Sequence, residues 1–371
     1  MTARMAEEVG AVVSGSDAKG DAGVDLVLAT GGSGGHAFPA LAVAREALAT
    51  GKSVVVLGAK GGMEERFMAD AGVPFVGVRA GKWHRGRPSP AQALMAGLGV
   101  VDGVLALRRL KPGVVVGFGG FASFPGAAAA ALLGLPLVLH EGNAFPSQVN
   151  RWLSSRARLV VTAQEEALRH LRGVKRSVVL PFPVREERVS RLEARDALGL
   201  PRDALVTLVM GGSQGSAALN REAPAAFARL NAPDHHVIHS AGTGRTGEVV
   251  TPGPNYHVHD FVDAAVAWSA ADLAITRAGF GTLSEAAFHG VPTVMVPLPS
   301  SADDHQLHNA LAVQDAGAGL LVEEKEIASA LDDAWRTLLD PGPRRAAAQA
   351  AAARSPAGAA RRILCAVLEN P

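Results

Sequence analysis

One feature constrains this chain more than any other: it opens the same way twice. DLVLAT runs into GGSGGH at residues 25–36, and LVTLVM runs into GGSQGS at residues 205–216. An apolar run that ends in clustered glycines and continues at helical spacing is the strand–turn–helix unit of a parallel α/β sheet. Further runs of the same kind, SVVVLG (53–58), GVVVGF (113–118), PLVLH (136–140) and RLVVTA (158–163), follow the first opening. HVIHS (236–240), DLAIT (272–276) and TVMVP (293–297) follow the second. They alternate with helical stretches such as PALAVAREALAT (39–50), so the pattern predicts two doubly wound α/β halves. The pattern restarts after the Pro-containing stretch PFPVREER (181–188), with a hinge near residues 183–190. The expected division is an unstructured extension over 1–23, a first domain over 24–184, a second over 185–345, and a helical tail over 346–371.

Composition removes several classes of function. The 371 residues are 48% hydrophobic and 19% charged, enough apolar material for two packed cores. The net charge of +1 does not fit a nucleic-acid binder. A single cysteine, Cys365, excludes an internal disulfide framework and a Cys-rich metal site. The N-terminal stretch does not read as a signal peptide, because Glu7 and Glu8 sit beside a very short apolar run. The expected location is the cytosol or the cytosolic side of a membrane.

The two glycine turns have two readings. As plain tight turns they need only their glycines, with Ser33 and Ser213 as helix N-caps. As ligand sites they offer unpaired N–H groups and the positive end of a helix to a phosphate. Two such turns at matching places favour at least one phosphate site. A nicotinamide dinucleotide is disfavoured. Phe38 stands where its fingerprint needs a late glycine, and the second strand ends Gly58-Ala59-Lys60, without a carboxylate for a ribose.

The stretch ITRAGFGTLSEAAFHGVPTVMVPLPSSADDHQLHNA (275–310) is the most informative. A strand leads into Gly279-Phe280-Gly281, and a helix is expected to open at Thr282. Thr282 and Glu285 have capping-box spacing, which by itself explains both. A carboxylate beside a glycine turn, at the carboxyl edge of a parallel sheet, is also placed to accept two ribose hydroxyls. His305, Gln306 and Asn309 are either a polar helix start or the amide and imidazole groups that a neutral sugar needs.

Four stretches in this order, GGSGGHAFPALAVA (31–44), GFGGFASFPG (117–126) with LHEGN (139–143), GGSQGSAALN (211–220) and RAGFGTLSEAAFHGVPTVMVPLP with DDHQLHNA (277–310), resemble the MurG family of N-acetylglucosamine transferases. The likeness runs from residue 25 almost to the end. It implies a GT-B fold, two Rossmann-like domains facing across a cleft, with UDP-N-acetylglucosamine (UDP-GlcNAc) mainly on the second and the lipid-linked muramyl pentapeptide mainly on the first. It also implies a C-terminal helix that crosses back to the first domain. Ser213, Gln214 and Gly215 match the diphosphate turn. Arg185 matches an arginine on the donor phosphate, and Glu285 the ribose carboxylate. Val262 matches the position whose backbone pairs with uracil, and Phe280, Gly281 and Thr282 a turn near the phosphates. Gln306, with His305 and Asn309, matches the sugar-reading groups. From the first half, Ser33, Gly34, Gly35, His36 and Asn143 match substrate-contacting positions, His36 on the acceptor side. Gly142 and Phe182 stand where the family often has Gln and Asn.

The implied reaction displaces UDP from the anomeric carbon of GlcNAc by the 4-hydroxyl of the muramyl sugar, which requires an anion clamp and a base. The turn at 211–215 and Arg185 suit the clamp; alternatively, Arg185 is a solvated hinge charge. No Asp-x-Asp is present, so no obligatory metal or cofactor is expected. His36 is the candidate base, with Glu141 the alternative; a helix N-terminus keeps an imidazole neutral. A polyprenyl acceptor implies contact with anionic lipid at the cytosolic membrane face. Trp83, Arg85 and Arg87 are candidates for it, as is the stripe Leu94, Leu98, Val101 and Leu105 ending in Arg108, Arg109 and Lys111. That stripe also reads as an ordinary core-packed helix. Other readings are a UDP-sugar transferase with another acceptor, a UDP-GlcNAc epimerase, and a non-catalytic UDP-sugar binder.

Overall fold

A computed structural model describes residues 23–81, 89–212, 215–299, 301 and 304–369. The chain forms two compact units, residues 1–184 with 358–371, and residues 185–357. In the first, seven parallel strands lie in the order β3-β2-β1-β4-β5-β6-β7: β1 Leu26–Ala29, β2 Val54–Ala59, β3 Phe75–Val78, β4 Val114–Gly117, β5 Leu137–Glu141, β6 Leu159–Thr162 and β7 Ser177–Val179. Leu26 is in register with Val54 on one side and Val114 on the other, so the strand order reverses between β1 and β4. In doubly wound sheets, ligands bind at the carboxyl ends flanking such a reversal. Helix α1 (Gly34–Ala49) leaves the first glycine turn; α2 is Met63–Asp70, α3 Pro90–Leu110, α4 Phe124–Leu133 and α5 Gln148–Leu153.

The second unit repeats the plan with six parallel strands in the order β10-β9-β8-β11-β12-β13: β8 Leu205–Met210, β9 His235–Ser240, β10 Tyr256–His259, β11 Leu273–Thr276, β12 Thr293–Met295 and β13 Gly319–Leu321. Its helices are α6 Arg191–Ala197, α7 Ala217–Leu230, α8 Ala264–Ala270, α9 Phe280–His289, α10 His305–Asp315, α11 Ile327–Leu339 and α12 Pro341–Ala353. In both units the central strands are buried on both faces, which is why they read as unbroken apolar runs.

Three local expectations are corrected. The helix after the second turn starts at Ala217, and its N-cap is Ser216, whose hydroxyl accepts from Leu219 N at 3.3 Å; Ser213 and Gln214 lie outside the described residues. Helix α9 begins at Phe280 on Gly279, two residues before Thr282, so Thr282 and Glu285 form no capping box. The tail is two helices. Helix α12 belongs to the second unit, and α13 (Ala359–Leu368) follows the Ser355-Pro356 break and the left-handed Gly358, φ 73°.

Helix α13 completes the first unit's core. Ala360, Ile363, Leu364 and Val367 pack with Ala40, Val43, Ala44 and Ala47 of α1, and the Arg158 guanidinium donates to the Val367 carbonyl at 3.1 Å. Ile363 is fully buried. Its replacement by alanine destabilises the first unit by about 2–5 kcal/mol, a lowered midpoint in denaturant unfolding. The second unit's transition should stay in place.

Candidate active site

The second unit gathers most of the donor-side candidates at the carboxyl ends of β8 and β11. After β8 comes Gly211-Gly212, with Gly212 at φ +88° and Gly215 at φ +69°. Among the described residues, nothing lies within 4 Å of where a Cβ on Gly212 would be, so the turn is open above its backbone. After β11, Phe280, Gly281 and Thr282 form the first turn of α9, whose N–H groups point the positive helix end outward. Glu285 sits one turn further along. Its Oε2 accepts from the Trp268 indole N–H at 3.2 Å. Burial pushes its carboxyl up to about 7, against the opposing pull of that hydrogen bond and of the Arg185 charge.

Arg185 opens the second unit and is not a bare hinge charge. Its Nε donates to Glu187 at 2.6 Å and its Nη1 to Asp263 at 2.9 Å; these hydrogen bonds raise its pKa despite burial. Asp263 also caps α8 by accepting from Val266 N at 3.2 Å. Val262, just before it, is buried, and the Phe261 ring beside it is exposed. On α10, the Gln306 Oε1 accepts from Leu298 N at 3.0 Å. Asn309 is buried and donates to the Ala278 carbonyl at 3.1 Å, so it shapes the turn before α9 from behind. His305 stands at the first position of α10.

The first unit gathers the other candidates on either side of the β1/β4 reversal. Ser33 is the N-cap of α1 without a side-chain cap, Gly34 and Gly35 begin the helix, and His36 is in its first turn. The His36 Nδ1 meets the Phe118 carbonyl, after β4, at 2.9 Å. A carbonyl only accepts, so Nδ1 carries a proton, and in the neutral imidazole the lone pair is on Nε2. His140, fully buried between contacts with Phe118 and Phe182, is held down to about 3 by burial, with the charge of His36 adding to the effect. Glu141 is not placed as a base. Its Oε1 accepts from the backbone and side chain of Asn143 at 3.0 and 3.2 Å, and its Oε2 from Ser147 N at 2.8 Å and Asn150 Nδ2 at 2.9 Å. Four donors leave it the role of ordering the loop that carries Asn143.

Comparison with known proteins fits these two half-sites. Residues 26–162 match the glycosyltransferase family 28 N-terminal domain, and residues 206–363 the glycosyltransferase family 28 C-terminal domain. The chain is 45% identical to the UDP-N-acetylglucosamine–N-acetylmuramyl-(pentapeptide) pyrophosphoryl-undecaprenol N-acetylglucosamine transferase of Deinococcus deserti, over 91% of this chain and 96% of that one. It is 44% identical to the enzyme of the same name from Deinococcus radiodurans, over 91% and 94%. The crystal structure of Acinetobacter baumannii MurG superposes with a TM-score of 0.73 at 30% identity, covering 93% of this chain and 99% of that one. The chain belongs to the MurG family.

The GT-B fold is thereby shown, and this MurG-family chain is a glycosyltransferase. Its sequence hid the groups that work on the expected residues. Trp268 is 17 positions from Glu285 and reads as a core aromatic; Asp263 and Glu187 read as surface charges. Replacing Trp268 by phenylalanine keeps the ring and removes the N–H that stabilises the Glu285 carboxylate. If Glu285 holds the ribose, UDP affinity at pH 7 falls three- to tenfold, on the order of one hydrogen bond, measured by calorimetry.

Helix α3 resolves the stripe. It is long and apolar enough to cross a membrane by length and composition. However, its Asp102 is buried and takes a paired contact from Arg79, at 2.7 Å from Nε and 2.6 Å from Nη2, and one side of the helix packs on α4. Leu94 (63% exposed) and Val101 (53%) face outward, with Arg108 and Arg109 exposed at its end. Leu98 and Leu105 are half-buried, so the stripe is outward-facing at Leu94 and Val101 and partly covered between and beyond them. Trp83, Arg85 and Arg87 lie outside the described residues.

Proposed function

We infer that the chain transfers N-acetylglucosamine from UDP-GlcNAc to the 4-hydroxyl of undecaprenyl-diphosphate-linked N-acetylmuramyl pentapeptide, with inversion, in peptidoglycan synthesis. The observation that carries this is identity of 45% across both units to an enzyme of that name. The site geometry supports it. The turn after β8, open above Gly212, the first turn of α9 and Arg185 meet the diphosphate; Glu285 accepts the ribose hydroxyls; the Val262 backbone reads uracil; and Gln306 reads the sugar. Arg185 exchanges Glu187 and Asp263 for phosphate oxygens as the donor binds. The acceptor oxygen bonds to the anomeric carbon, its proton passes to His36 Nε2, and the bond to the diphosphate breaks, releasing UDP. Helix ends and Arg185 carry the developing charge, and the reading assigns no resident metal.

The test is incubation of labelled UDP-GlcNAc with and without the lipid-linked muramyl pentapeptide. Transfer only in its presence is expected; epimerised sugar, or no reaction, overturns the reading. The outward face of α3 supports a peripheral position on the cytosolic membrane surface. Leu94→Glu with Val101→Glu should weaken binding to anionic vesicles about tenfold or more, since each removes a partly inserted apolar side chain. Unchanged vesicle binding would sink that part.

A further inference from the structure

The turn after β8 is braced from behind by a chain of buried side chains. Its last link is a close contact. Gly215 stands at φ +69°, and a Cβ there would lie 2.0 Å from the carbonyl oxygen of Ala241, the residue after β9. Gly215 N also donates to the Gly212 carbonyl at 2.9 Å, which ties the two glycines together. The Ala241 peptide is therefore a floor under this turn.

Three side chains hold that floor. Asn220, in the first turn of α7, donates from Nδ2 to the Ala241 carbonyl at 3.1 Å and to Glu248 Oε2 at 3.2 Å. A carbonyl only accepts, which puts the amide nitrogen on that side and Oδ1 on the other. Oδ1 meets His239 Nε2 at 3.1 Å, so Nε2 carries the proton. The bare Nδ1 then accepts from the Tyr256 hydroxyl, on β10, at 2.8 Å. Each link sets the direction of the next, and all three side chains are buried. Burial also holds His239 down to about 4 and pushes the Tyr256 phenol well up, so both stay neutral. Buried polar chains are costly unless every member is paired, and this one is paired from end to end.

We propose that His239 is a positioning residue for the donor diphosphate: it orients the Asn220 amide, which sets the Ala241 carbonyl and with it the backbone of the turn after β8. The proposal rests on the reading of the second unit as the UDP site. Preorganised N–H groups hold an anion only while their geometry is kept. In that reading uridine meets Val262 and Glu285 instead, so a loosened turn weakens the hold on the diphosphate and spares the nucleoside.

The test measures UDP by calorimetry and uridine by titration in nuclear magnetic resonance, both on the full chain. In His239→Leu, UDP affinity should fall at least tenfold while uridine affinity changes less than twofold. Two amide variants refine the point and guard against a leucine variant that does not fold. Glutamine at 239 sets its amide near the position of Nε2 and can still donate to Asn220, so His239→Gln should stay within threefold of wild type. Asparagine sets its amide near Nδ1, faces Tyr256 and leaves Asn220 without a donor, so His239→Asn should lose UDP affinity at least fivefold. Melting curves verify that the variants are folded. Equal losses for UDP and uridine overturn the proposal, because a merely structural histidine would weaken both. Wild-type UDP affinity in a folded leucine variant, or asparagine performing as well as glutamine, overturns it too. Failure of UDP to bind wild type indicts the reading of the second unit instead.

Discussion

Replacing Glu285 by alanine lowers the affinity for UDP by roughly a hundredfold to ten-thousandfold, the worth of about two hydrogen bonds to a charged acceptor. The unliganded protein keeps this carboxyl protonated up to about pH 7, because burial opposes the charge. Only the ionised form accepts two hydroxyls without giving up an oxygen to its own proton. UDP affinity should therefore rise with pH, up to tenfold per unit, as pH climbs toward about 7, and level off above. Stability of the free protein runs the other way. A raised carboxyl pKa contributes stability that is fully present below 4.5 and is lost as pH climbs through about 7. UDP should consequently raise the melting temperature more at pH 8 than at pH 5. Calorimetry in buffers of different ionisation enthalpy should detect a proton released on binding at pH 6. An affinity flat between pH 5 and 8, or an alanine variant that binds UDP normally, contradicts the assignment.

Replacing His36 by alanine lowers kcat about 10²- to 10⁴-fold, the usual contribution of a positioned general base, with the KM for UDP-GlcNAc little changed. The Phe118 carbonyl makes the prediction sharper. An asparagine at 36 can still donate to that carbonyl but has no basic nitrogen where Nε2 stands. His36→Asn should therefore match His36→Ala in turnover while melting closer to wild type. If the turn merely needs the hydrogen bond, asparagine would restore activity instead, and the base role would be lost. Solvent-exchange or single-turnover measurements then separate loss of proton transfer from loss of acceptor binding.

What the sequence disclosed follows burial. The nine strands legible as apolar runs include every central strand of both sheets. The four it did not disclose, β3, β7, β10 and β13, are the edge strands. An edge strand meets solvent along one side, and FVGV alternates while YHVH reads as polar. Local chemistry misled at the turns. Ser213 looked like a cap because it follows glycines, yet the chain runs on to Ser216 before the helix begins. The Thr282–Glu285 spacing fitted a capping box, and only the start of α9 at Phe280 removes that reading. Glu64, which accepts from Gly32 N at 3.3 Å, escaped because that partner is 32 residues away. The pairing of Trp268 with Glu285 was hidden in the same way, by a fold contact with no periodicity.

Helix α13 has a consequence for how the chain is made. The first unit takes residues 358–371 as well as 1–184, so the second unit is an insertion within it. On a ribosome, the segment synthesised first cannot close its core until the last has emerged. The unit begun second is finished first. The Ala40–Ala47 face of α1 waits, uncovered, until residues 359–368 have been made, after the whole of the second unit.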